Sequence, residues 1–90
     1  MIIKDSQSLK EIQQAFSAQF PYLKVEFYSK KHGDFGGSHI NDQLHPDQFV
    51  KDIRTIHTEG NISIDPNMTV LVFEQLFEEK FGLHVQVFRK

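Results

Sequence analysis

The 90-residue chain contains no cysteine, which excludes disulfides, thiolate metal sites and thiol nucleophiles. That composition is the one expected of a reducing cytoplasm. No apolar run approaches the ~20 residues needed to span a bilayer. The first residues do not show the charged-then-apolar layout of a signal peptide. The formal charge is only −2, so no general attraction to a phosphate backbone is expected. Together these point to a cytoplasmic protein with no membrane partner, for which nucleic acid is a disfavoured partner.

Motifs that carry chemistry are also scarce. Gly33, Gly36 and Gly37 fall in one stretch, without the Gly-Lys-Ser/Thr ending of a phosphate-binding loop. Asp34-Phe35-Gly36 copies three letters of a kinase signature, but the glycine loop, strand lysine and catalytic loop that give it meaning do not accompany it. His57 and Glu59 stand two residues apart without a constellation of nucleophile, base and orienting partner, and read as surface or turn residues. No catalytic residue and no cofactor is predicted.

What the chain does have is a repeat. At an offset of 61, Ile3 meets Ile64, Ser8 meets Thr69, Leu9 meets Val70, Ile12 meets Phe73, Phe16 meets Phe77 and Phe20 meets Phe81. Pro21 then meets Gly82. At an offset of 60, Leu23 meets Leu83, Val25 meets Val85, Phe27 meets Val87, Tyr28 meets Phe88 and Lys30 meets Lys90. Each half reads as strand, cap, amphipathic helix, breaker and alternating strand. This is the pattern of a duplication, or of two segments obeying the same physical rules.

In the first half, residues 1–4 form a short strand. Ser8 and Glu11 fit a capping box. Leu9, Ile12, Phe16 and Phe20 make the apolar stripe of a helix over 9–20, stopped by Pro21. Residues 23–29 alternate as a half-buried strand. In the second half the strand is 61–65, with Thr69 as N-cap and Met68 and Phe73 placed as a hydrophobic staple. A helix over 70–81 carries Val70, Phe73, Phe77 and Phe81 inward, and Gly82 supplies its left-handed stop. The last strand is 83–89. Because the chain stops at Lys90, almost inside that strand, a further natural segment is expected. Between the halves, residues 31–60 hold a loop and then a short helix over 46–55. Pro46 opens that helix, and Phe49, Ile53 and Ile56 lie at helical spacing. A hairpin through Glu59-Gly60-Asn61 is the alternative.

The whole is predicted as one α+β domain, a ferredoxin-like two-layer sandwich of two β-α-β units, with strands ordered 4-1-3-2. A β-grasp-like roll is the alternative. A chain this short buries about 60–65% of its unfolded surface. Nine phenylalanines supply the core, each removing on the order of 150–250 Å².

Two candidate surfaces follow. The open sheet face would carry Lys24, Glu26, Tyr28, His84, Gln86 and Phe88, suited to another protein or to a second copy as a homodimer. The loop carries His32, His39 and His45 among aspartates, donor types for zinc, but their spacing matches no tight motif. RRM-type RNA binding needs aromatics on central strands. Here those strands offer Ile2, Lys4, Ser63 and Asp65. The nucleic-acid features are Tyr28 and Phe88 as stacking rings, better read as packing against a neighbouring element or a partner chain, and a basic end of the sheet built from Lys30, Lys31, Arg89 and Lys90.

The C-terminal string FEEKFGLHVQVFRK resembles one found in a group of small bacterial proteins with no assigned function. The resemblance implies bacterial origin and a chain that continues with a strand-like, acidic segment. It carries no catalytic residue across. The element order also resembles ACT-type regulatory domains, although Lys4-Asp5-Ser6-Gln7 stands where those domains use a glycine-containing turn for amino-acid ligands. Taken together, the sequence predicts a non-enzymatic interaction or scaffold module. A small-ligand or metal-binding domain is the alternative, and a weak nucleic-acid binder the third.

Overall fold

The computed structural model describes residues 1–29 and 43–90. The element order is β1 (Ile2–Ile3), α1 (Leu9–Gln19), β2 (Leu23–Tyr28), α2 (Val50–Ile53), β3 (Ile62–Ser63), α3 (Val70–Phe81) and β4 (His84–Arg89). The class is α+β, compatible with a ferredoxin-like sandwich, and the helix–strand order of each half is the one its pattern predicts.

Both long helices begin as their caps dictate. The Glu11 N–H donates to Ser8 Oγ at 3.1 Å, and the Val72 N–H donates to Thr69 Oγ1 at 3.2 Å. The Glu11 carboxylate accepts from Ser8 Oγ at 3.4 Å. α3 ends at Gly82 with φ 67° and ψ 18°, the left-handed cap that glycine takes without a Cβ penalty. Ile12, Phe16, Phe73, Phe77 and Phe81 are buried in the core with Val25, Phe27, Leu83 and Val85. The aromatic rings form a continuous column: Phe16 stacks on Phe73 at 5.3 Å, and Phe77 meets Phe27 at 5.2 Å and Phe81 at 5.1 Å. Such offset and edge contacts add to the burial energy.

The strand pairing departs from the predicted 4-1-3-2 order. β1 and β3 are antiparallel neighbours, as that order requires, with Ile2 opposite Ser63 and Ile3 opposite Ile62. But β2 and β4, which it would place on opposite edges, pair with each other from Leu23↔Arg89 to Tyr28↔His84. The physical reason is length. β1 and β3 are two residues each and cannot satisfy the backbone of a six-residue neighbour. β2 and β4 satisfy each other instead.

Both ladders respect the repeat. At an offset of 61, Ile2 corresponds to Ser63, and these two pair with each other. At an offset of 60, Glu26 corresponds to Gln86, and these too pair with each other. The flanking pairs exchange: Val25↔Val87 maps onto Phe27↔Val85, and Lys24↔Phe88 maps onto Tyr28↔His84. A pseudo-twofold axis therefore passes through the centre of each ladder and relates α1 to α3.

Residues 43–56 break that symmetry and differ from the prediction. The helix expected over 46–55 is one turn, Val50–Ile53. Before it the chain is extended and bound to the first half. The Leu44 N–H donates to the Phe27 carbonyl at 2.8 Å, and Ser8 bridges Phe49 as a strand pair. A turn at Pro46–Asp47 is closed by the Gln48 N–H on the His45 carbonyl at 3.1 Å. The expected stripe of Phe49, Ile53 and Ile56 is not what is buried: Phe49 and Ile56 are exposed, and Val50 is fully buried. No hairpin forms at Glu59–Gly60, where Gly60 takes φ 98° in a bend.

Candidate functional site

Alternation along β2 and β4 sorts their side chains onto two faces. Val25, Phe27, Val85 and the partly buried Val87 turn to the helices and the core. The six predicted interaction residues fall on the other face as three successive cross-strand pairs: Lys24↔Phe88, Glu26↔Gln86 and Tyr28↔His84. The ammonium of Lys24 lies 5.9 Å from the centre of the Phe88 ring, a cation–π distance. Phe88, Gln86 and His84 are half-buried and Lys24 is exposed.

Two of the six are less open than expected. Tyr28 is 7% exposed, and its ring centre lies 6.3 Å from that of His84. Burial raises the Tyr28 phenol pKa above its ordinary value, and the Glu26 carboxylate adds to the rise. Both effects disfavour the phenolate. The Glu26 carboxylate is held by two amides, Gln43 Nε2 at 2.7 Å and Gln13 Nε2 at 3.3 Å. Gln13 also donates to the Val25 carbonyl at 2.9 Å, and Ser17 Oγ to the Leu23 carbonyl at 3.2 Å. α1 thereby closes the outer edge of β2 with side chains. Among the described residues, Lys24, His84, Gln86 and Phe88 keep part of their surface exposed on this face.

Of the predicted metal donors, His32 and His39 lie outside the described residues. His45 is exposed, and its Nδ1 accepts from the Asp47 N–H at 3.2 Å within one turn. Among the described residues no three histidine, aspartate or glutamate side chains are grouped as metal donors. No described helix is long and apolar enough to cross a membrane.

Two features escaped the sequence. Arg54, with a side chain only 7% exposed, ties three parts of the fold together. Its guanidinium bonds Asp5 Oδ2 at 3.0 Å and the Lys80 carbonyl at 3.0 Å. It also bonds the Ile56 and Thr58 carbonyls and stands 4.7 Å above the Phe81 ring. Nothing in its neighbours' identities announces this role. The second feature is apolar: Val70, Leu71 and Val72 are exposed at the start of α3, although Val70 was placed in the buried stripe. Of the three, Val70 lines a pocket of about 40 Å³ together with Phe20, Leu23, Met68, Phe73 and Val87. The signal was present in the run Thr69-Val70-Leu71-Val72, which is too apolar for a stripe one residue wide.

No protein-family model matches the chain, and neither a curated protein nor a solved structure matches it.

Proposed function

We propose that this domain is a non-enzymatic protein-interaction module of a bacterial cytoplasm, associating through the outer face of the β2–β4 ladder. A second copy of the chain is the first partner to test. The reading rests on one observation: Phe88 and Lys24, a half-buried aromatic with a cation over its ring, share the face with Gln86 and His84 on a six-residue ladder. Aromatics set among adaptable polar groups are what interfaces select. Lys24 is exposed on this face, and a lysine there discourages open-ended strand addition.

Sedimentation of the chain over a wide concentration range tests this. Association that rises with concentration and is lost in Phe88→Asp, with the circular dichroism spectrum unchanged, is the expected result. A wild-type chain that stays monomeric throughout removes self-association. An equally associating Phe88→Asp variant removes this face.

A further inference from the structure

The pseudo-twofold axis makes a specific comparison possible between the two ends of the fold. In the first half, residues 43–54 of the chain lie across the start of α1. At the helix start they are bound through the backbone. The Leu9 N–H donates to the Gln48 carbonyl at 2.9 Å and the Lys10 N–H to the Pro46 carbonyl at 2.8 Å. These are two of the helix N–H groups that no intrahelical acceptor can reach. In return the Val50 N–H donates to the Gln7 carbonyl at 3.1 Å, and the Leu44 N–H to the Phe27 carbonyl at 2.8 Å. Val50 and Leu9 are both 0% exposed and belong to the same core.

The same positions in the second half are Val70 and Leu71 as donors, and the carbonyls of Met68 and Val87 as acceptors. Among the described residues, none of these four has the counterpart backbone bond. Val70, the counterpart of Leu9, is 47% exposed, and Leu71 is 62% exposed. The pocket beside them is the counterpart of the Val50 seat. Its lining residues Phe20, Leu23, Met68, Val70, Phe73 and Val87 map by the repeat onto Phe81, Leu83, Gln7, Leu9, Ile12 and Phe27. Of those counterparts, Gln7, Leu9 and Phe27 have already been seen to bond the 43–54 segment. The pocket's ≈ 40 Å³ is roughly three times what one water requires, and its walls offer water almost no hydrogen bonds. A branched aliphatic side chain fits it.

We infer that the start of α3 is a docking site for a peptide segment of a partner protein, built on the pattern that residues 43–54 display in the first half. The bound segment runs extended along the outer edge of β4 and gives carbonyls to the Val70 and Leu71 N–H groups. It then inserts one valine-like side chain into the pocket, where it turns into a helix. Among the described residues there is one such segment, and it is seated in the first half. A second copy would have to vacate one site with it to fill the other, so the occupant we infer is a segment of a different chain. The site is separate from the outer face of β2–β4, and its test does not depend on that face.

The probe is a synthetic, end-blocked peptide of residues 43–55, titrated into the labelled 90-residue chain while amide NMR spectra are recorded. The expected result is saturable shifts centred on Met68, Val70, Leu71, Phe73 and Val87. The Val50→Asp peptide should bind at least about tenfold more weakly, as expected when a charge replaces a buried aliphatic group. Val70→Asp in the chain should weaken binding similarly. Val70 is exposed enough for that variant to fold, and its amide spectrum verifies this. No shift at the highest peptide concentration overturns the inference. So do shifts confined to residues 7–10 and 27, which would mean exchange with the chain's own segment, and so does equal binding of the Val50→Asp peptide.

Discussion

Replacing Arg54 by alanine should cost this domain about 2–4 kcal/mol, because one side chain serves three separate structural purposes. It caps the end of α3 through the Lys80 carbonyl at 3.0 Å, one of the last-turn carbonyls that no helical N–H can reach. It stacks 4.7 Å above Phe81, worth about 0.5–2 kcal/mol depending on desolvation. It also pairs with Asp5 at 3.0 Å. The Asp5 side chain is 47% exposed, so solvent screens that pair, and its share is about 0.5–1 kcal/mol. The largest share belongs to the carbonyl bonds, about 1.5 kcal/mol or more for one made by a charged donor and shielded from water. The Ile56 and Thr58 bonds count for less, since water reaches those exposed carbonyls. For a domain of this size the loss corresponds to a fall in Tm of about 10–25 °C. Urea unfolding followed by far-ultraviolet circular dichroism measures it. Arg54→Lys should recover less than half, because a point charge cannot make the planar fork or the stack. An Arg54→Ala variant within about 0.5 kcal/mol of wild type, the scatter of an ordinary surface change, would refute the reasoning. A fully stable Arg54→Lys variant would show that charge alone matters.

Gly82→Ala should destabilise by about 1–2 kcal/mol from the left-handed backbone alone, and by more because the added Cβ would collide with the Thr55 hydroxyl and press on Ile56; thermal unfolding reads the sum. Tyr28 should titrate above its ordinary pKa of 10.0 in a Tyr22→Phe background, read by phenolate absorbance, and Glu26→Gln should bring it only part of the way back, since burial is the larger cause. Because the folded-state pKa is the raised one, the associated stability is complete below the unfolded value and is lost as pH rises through the folded one; a midpoint at or below the ordinary value would contradict the burial of Tyr28.

The local elements were legible because local physics decides them. Ser8 and Thr69 place helix starts, Gly82 places a stop, and the phenylalanine spacing places the buried faces; the structure agrees to within a residue or two at α1, α3, β2 and β4. The face shared by Lys24, Glu26, Tyr28, His84, Gln86 and Phe88 was legible for the same reason, since period-two alternation survives any choice of partner strand. The partner itself was not legible. Alternation says which way side chains point, and nothing about which edge meets which, so the 4-1-3-2 order and the β2–β4 pairing fit the same string of letters. The 43–56 segment failed for a different reason. Its one helical turn and extended approach are fixed by α1's unsatisfied N–H groups and by the Phe27 carbonyl, contacts distant in sequence. Phe49 and Ile56 looked like core only because a helix was assumed. Tyr28 was misjudged because an even-numbered strand position defines a face but not how much of it is covered.

The unequal treatment of two equivalent helices is the feature that most needs a physical cause. α1 and α3 share a cap type, a phenylalanine register and a place beside the ladder, yet Leu9 is buried and Val70 is not. The helices themselves do not explain this. Residues 43–54 satisfy the first-turn donors of α1 and cover its apolar start, and no described residue does the same for α3. A sequence selected only for the stability of the folded chain would be free to make the uncovered end polar, as the exposed Lys10 and Glu11 do on α1. Instead the exposed run is Val70-Leu71-Val72. The residues around it also form a pocket that the repeat relates to an occupied one. Exposed β-branched residues at a helix start lower helix propensity and leave apolar surface in water. For Val70 the cost of apolar exposure disappears once a segment lies across it, as one does across its buried counterpart Leu9.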